Sequence, residues 1–156
     1  MTDRGLAMPE GPGSPSNRFD VFQCHSSPDK EEVRRICRLL ERHGVRTWLD
    51  DEQIQPGLPW QDALEAQIPY IPAAAVYVGS SNLGPWQAVE LGAFMRQFVD
   101  RGCPVIPVLL RSASQMPKLP TFLMAMRWVD FRKNQRRALL ELVWGITGKR
   151  PPQLDT

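Results

Sequence analysis

Phosphate-binding signatures are missing from this chain. No G-x-G-x-x-G turn follows its first apolar run and no Walker sequence occurs, which excludes ordinary dinucleotide and P-loop chemistry. There is no G-x-S-x-G elbow and no H-E-x-x-H pair, so the common serine-hydrolase and zinc-protease arrangements are excluded as well. Cysteine is scarce: Cys24, Cys37 and Cys103 form no C-x-x-C pair and leave an odd count. With only His25 and His43 to join them, no metal-ligand spacing appears, and a reducing compartment is the simplest setting. Charge of one sign is lacking too. Nineteen lysines and arginines against 17 acids leave a net charge of +2, which gives no bulk case for nucleic acid or a membrane surface. The local cluster Arg132, Lys133, Arg136 and Arg137 reads as the solvated start of a helix. No apolar run reaches the ~20 residues needed to span a bilayer. The N-terminus has no apolar segment of a secretory signal, so the expectation is a soluble, cytoplasmic protein.

What is present fits one globular domain. A chain of 156 residues with 42% hydrophobic side chains can bury a sizeable core. Residues 1–17 hold three prolines, three glycines and two serines without periodicity, and read as a disordered tail or linker. Residues 18–148 read as the folded domain and 149–156 as a C-terminal tail.

Within the domain, strands and helices are predicted to alternate. The run Phe19–Cys24 is the first strand. Ser26 or Ser27 is placed to cap the helix that follows, with Pro28 in its first turn. Val33, Ile36, Cys37 and Leu40 lie at i, i+3, i+4 and i+7, one buried stripe that Gly44 ends. Val45–Asp50 is the second strand, Asp51–Pro59 a loop, and the helix from Trp60 stops at Pro69. Ala73–Val78 is a small-apolar run, the mark of a strand covered on both faces. Pro85 opens the third helix, which runs to about Phe98. Pro104–Leu110 is the fourth strand, with two prolines that shorten its pairing. Arg127–Phe131 is a short fifth strand, and Leu139, Leu142, Val143 and Ile146 mark the last helix. This order predicts a parallel sheet covered by helices on both sides, with ligands outside the carboxyl ends of the strands.

One carboxylate stands out in that frame. Trp86, Val89, Glu90 and Ala93 share a helix face, so Glu90 sits among apolar neighbours one turn from a tryptophan. Partial desolvation favours its neutral form unless it is paired, and such placement is enriched at functional sites. The competing reading is a helix-start glutamate facing the helix dipole or an arginine such as Arg46.

Taken together and in order, these segments resemble the TIR (Toll/interleukin-1 receptor-like) family. Phe19-Asp20-Val21-Phe22 with Cys24-His25-Ser26-Ser27 and Asp29 resembles its first box, from which Gln23-Cys24 departs by replacing an apolar-Ser pair. Gly44–Asp50 followed by Ile54-Gln55-Pro56-Gly57 and Trp60 resembles its second box and the long loop after the second strand. Ser80-Ser81, then Trp86 and Glu90, resembles the start of its third helix. Val105–Val108, Leu119-Pro120 and Trp128–Phe131 resemble its last two strands. The resemblance implies a flavodoxin-like α/β fold, a five-stranded parallel sheet of order 2-1-3-4-5. It also implies one of two functions. The Trp86 and Glu90 pattern is similar to that of TIR enzymes, bacterial-type effectors of immune defence or NAD depletion. These cleave NAD+ at the nicotinamide–ribose bond and release nicotinamide with ADP-ribose or a cyclic isomer. On that expectation the chain is an NAD+ glycohydrolase activated by self-assembly, NAD+ is a substrate, and no separate cofactor or metal is required. Glu90 would be catalytic, stabilising charge at the ribose as in glycoside hydrolysis. His25, Ser26, Ser27, Asp50, Gln55, Gly57, Leu58, Ser80 and Trp86 would contact the substrate. The alternative is a non-catalytic adaptor that signals by TIR–TIR contact. In either case the implied partners are other TIR domains, engaged through the loop after the second strand, with a sensor domain or protein in cis or trans.

Overall fold

The structure is a computed structural model that describes residues 18–49, 56–80, 88–114 and 121–155. Its strands are β1 (Val21–Cys24), β2 (Thr47–Leu49), β3 (Ala74–Val78), β4 (Val105–Leu109) and β5 (Val129–Asp130). They form one five-stranded sheet of order β2-β1-β3-β4-β5, and every pairing is parallel. Flanking it among the described residues are α1 (Lys30–Arg42), α2 (Trp60–Gln67), α3 (Ala88–Asp100), α4 (Thr121–Met124) and α5 (Gln135–Thr147), with 3-10 turns at Ser27–Asp29, Ile68–Tyr70 and Pro152–Asp155. The order of elements predicts the parallel sheet, and the strand order is that of the flavodoxin-like fold the family resemblance implies.

Period-2 alternation splits the strands between two apolar layers. Val21, Ala75, Tyr77, Ile106 and Val108 face α1 and α5, meeting Val33, Ile36, Leu40, Leu142 and Val143. Phe22, Cys24, Ala74, Val76 and Val105 face α2 and α3, meeting Leu64, Met95 and Phe98. Each large side chain buried this way stabilises the fold by about 1.5–3 kcal/mol. Gln23 is the polar exception. It is buried, and its amide donates to Cys37 Sγ at 3.3 Å, which gives this departure from the first box a partner on α1.

Several ends differ from the sequence pattern. Pairing of β1 begins at Val21 because the N–H groups of Asp20 and Val21 both turn to the Arg46 carbonyl, at 2.7 and 3.3 Å. Pro69 does not end the second helical segment outright; the chain continues through a 3-10 turn over Ile68–Tyr70. Pro107 lies inside β4 opposite Val76, so that strand loses one donor yet stays in the sheet. Ser26 caps the first turn with its backbone carbonyl, which accepts from Asp29 N–H at 3.0 Å, and not with its hydroxyl.

Two tertiary contacts fix the helices that matter below. Arg101, just past α3, donates to the carbonyls of Ile68, Pro69 and Ile71 at 2.8, 3.1 and 2.8 Å, closing the C-terminal end of α2. Gly145 on α5 lies directly over β4, where an added Cβ would stand 2.8 Å from Ile106 Cδ1. α5 is capped at its start by Asn134, whose side chain accepts from Arg137 N–H at 3.0 Å, and at its end by Gly148 at φ 74°. Beyond Gly148 the chain packs back on α5: Leu154 is buried, and Arg150 pairs with Asp155 at 2.8 Å. Among the described residues, no helix is long and apolar enough to cross a membrane.

Candidate functional site

The carboxyl edge of a parallel sheet is where its loops converge on a ligand. Of the expected residues there, Asp50, Gln55 and Trp86 lie outside the described residues. Glu90 is in the first turn of α3, with its side chain outside the described part. Gly57 and Leu58 are exposed on the loop after β2. Gly57 adopts φ 93°, the left-handed region that favours glycine, and Leu58 is 55% exposed. Ser27 and Ser80 are exposed as well.

The remaining residues are tied into the protein. Ser26 is fully buried. His25 Nδ1 lies 2.9 Å from the Ser26 carbonyl oxygen. Asp29 is buried under the end of β3, and a Cβ on Gly79 would overlap its carboxylate, so only glycine fits there. Burial, and then the Glu32 carboxylate, push the Asp29 carboxyl above the usual range, with His25 opposing. Glu32 accepts from Arg111 N–H at 3.0 Å, and Ser80 N–H donates to Ser112 Oγ at 3.2 Å. At the end of β5, Arg132 grips Asp130 with Nε and Nη2, both at 2.9 Å, and also donates to the Ser114 carbonyl. The Arg132 hydrogen bond holds the Asp130 carboxyl below the usual range. Side chains of this edge thus stitch the loops after β1, β3, β4 and β5 to one another.

The flanks of the sheet carry a different feature. Between Arg46 and Arg96 the chain has no lysine or arginine and six acids: Asp50, Asp51, Glu52, Asp62, Glu65 and Glu90. From Arg96 onward, eleven basic residues stand against four acids. The fold sends these segments to different places. Asp62 and Glu65 are exposed on α2, beside exposed Leu58 and Tyr70. Of the basic residues, Arg127, Arg132, Lys133, Arg136, Arg137, Lys149 and Arg150 lie on or next to β5 and α5, beside exposed Met124 and Trp128, while Arg96 is on α3 and Arg101 reaches the end of α2. There Glu141 receives both Arg127 Nη2 at 3.2 Å and Arg137 Nε at 3.3 Å. The guanidinium carbons of Arg127 and Arg150 lie 5.8 and 4.7 Å from the Trp144 ring centroid. A net charge of +2 conceals this partition, although the lysine- and arginine-free stretch is plain in the sequence.

Comparison with known proteins gives the family. A family model described as TIR domain matches residues 21–143. Among solved structures, the TIR domain of a Toll-related receptor of the lower metazoan Hydra magnipapillata superposes with a TM-score of 0.57 at 20% identity, over 81% of this chain and 92% of that one. No curated protein matches the sequence.

The expectation of an NAD-cleaving enzyme is corrected by these findings. A solved domain that this chain resembles belongs to a Toll-related receptor. At the carboxyl edge, Ser26 is buried and Asp29 fills the space below Gly79. The hydrolase reading, with ADP-ribose as product, falls with that correction; the role expected of Glu90 rests on a side chain outside the described residues and is not tested by these findings. What stands is the architecture: a parallel β2-β1-β3-β4-β5 sheet and a match spanning residues 21–143, by which this chain belongs to the TIR domain family.

Proposed function

We propose that this chain is a TIR–TIR interaction module that signals by assembling with other copies of the domain. The observation that carries this reading is the partition of charge. An acidic flank, α2 with exposed Asp62 and Glu65, and a basic flank, β5 with α5, are displayed on one domain. Complementary flanks on one chain favour a head-to-tail contact, which leaves a free flank at each end and so continues from copy to copy. Family membership and the likeness to a receptor domain support the same reading. The loop after β2 supplies the apolar part of the acidic flank, with Gly57 setting its turn and Leu58 exposed at its tip.

The contact is electrostatic at long range, so it answers to salt. Sedimentation velocity at about 0.02 M and about 0.5 M ionic strength spans Debye lengths from tens of ångströms down to a few. The chain is expected to associate in the first condition and dissociate in the second. Association that is indifferent to salt contradicts the proposal.

A further inference from the structure

A cavity of about 360 Å³ opens beside β5 on the basic flank, lined by Val105, Ile106, Arg127, Glu141, Trp144 and Gly145 among others. We propose that it is a carboxylate-binding site that Glu141 fills from within the isolated chain, and that an acidic side chain from the acidic flank of a second copy competes for the same arginines. This rests on the assembly reading above.

The geometry points to it in three ways. First, one oxygen, Glu141 Oε2, accepts a hydrogen bond from Arg127 and pairs with the Arg137 guanidinium at 3.3 Å, so two cations meet one carboxylate oxygen. Second, the exposures are lopsided. The Glu141 side chain is 14% exposed, while Arg127 and Arg137 are 68% and 53% exposed, so both arginines keep donors turned outward. Third, the Trp144 ring holds the Arg127 guanidinium on this side of α5, and Arg150 meets the same ring. That pre-orders the cations and lowers the cost of fixing them for an incoming acid. The apolar walls, Val105, Ile106 and Trp144, suit the aliphatic stem of a glutamate or aspartate. The partner is named by charge: the chain's own 47–95 segment offers acids without a single lysine or arginine.

Glu141 then sets the threshold for assembly. Its replacement by glutamine keeps shape and removes the competing charge. Two arginines released from exposed ion pairs correspond to a gain of about fivefold in affinity for an added carboxylate. The test is a titration with glutarate, followed by NMR on the arginine Nε signals, on wild type, Glu141→Gln and Arg127→Ala/Arg137→Ala. Glu141→Ala is carried as a second variant, and circular dichroism checks that each is folded. Both Glu141 variants are expected to bind glutarate about fivefold more tightly than wild type, and the arginine double variant to lose binding. Unchanged or weaker binding in both Glu141 variants overturns the proposal. Sedimentation of the same proteins separates the two readings. Tighter glutarate binding with no self-association at any salt concentration keeps the carboxylate site and removes the second copy as its occupant. Salt-sensitive association with unimproved glutarate binding keeps the assembly reading and removes the role of Glu141.

Discussion

The two flanks of the sheet are built on different physical plans. On the α2 flank, Asp62 and Glu65 are exposed on a short helix whose far end is closed by Arg101 from the neighbouring α3. On the α5 flank, the arginines are arranged against one another by Glu141, Trp144 and Asp155. The first is an exposed source of negative charge next to an exposed apolar side chain, Leu58. The second is an ordered receptor for such charge, already partly neutralised by its own acids. An acceptor that is pre-ordered lowers the conformational freedom lost on contact.

Reversing charge on one flank should have the largest effect. Asp62→Lys/Glu65→Lys sets like charge against the α5 flank of the next copy, and like-charge contact costs several kcal/mol. Association should weaken by about a hundredfold, roughly 2.7 kcal/mol, when read by sedimentation at low salt. A next-largest effect is expected at Gly57. Proline holds φ near −65° and cannot adopt the φ 93° seen there, so Gly57→Pro should redirect the loop tip and impair association while circular dichroism shows the domain still folded. Full association in that variant would detach the loop from the acidic flank.

Changes to the supports of each flank should be smaller and should appear in stability. Gly145→Val pushes side-chain atoms into Ile106 and should cost about 1–3 kcal/mol by chemical denaturation, loosening the α5 flank alone. Arg101→Ala strips a charged donor from three carbonyls at the end of α2 and should cost about 1–2 kcal/mol, loosening the other flank. Equal loss of association from both would erase the distinction between the two flanks.

The smallest effects concern pH at the carboxyl edge, where two aspartates lie on opposite sides of the usual range. Burial raises the Asp29 carboxyl, so the stability tied to its neutral form is present below the unfolded value of 3.8 and is lost as pH rises through the folded value. Asp29→Asn should therefore be more stable than wild type at neutral pH, with the gap closing toward pH 3.8. The Arg132 hydrogen bond lowers the Asp130 carboxyl, so its contribution is present above 3.8 and is lost as pH falls through the folded value. Asp130→Asn should be less stable than wild type at neutral pH and no different well below that range. Thermal unfolding against pH reads both signs.

Much of the fold was legible from local pattern. The α1 stripe of Val33, Ile36, Cys37 and Leu40 and the small-apolar β3 repeat at the periods that helices and buried strands impose, and both appear where the spacing predicts. Contacts between distant segments were not legible. Nothing around Asp29 signals that Gly79, fifty residues on, leaves the room its carboxylate occupies. Arg101 looks like a surface arginine until the 3-10 turn at Ile68–Tyr70 is seen to present its carbonyls. The pattern at Trp86 and Glu90 drew attention to one carboxylate because it is local. The partition of charge extends over a hundred residues, and a balanced total conceals it.

The central claim is that two flanks of one chain recognise each other by opposite charge, and mixing tests it most directly. Asp62→Lys/Glu65→Lys and Arg136→Glu/Arg137→Glu should each fail to associate alone, since the first carries positive charge on both flanks and the second has lost the net positive charge of its α5 flank. Combined in equal amounts at low salt, they should associate again, because each supplies the flank that the other lost. Recovery on mixing is the predicted result; two variants that stay monomeric together as they do apart would contradict the account.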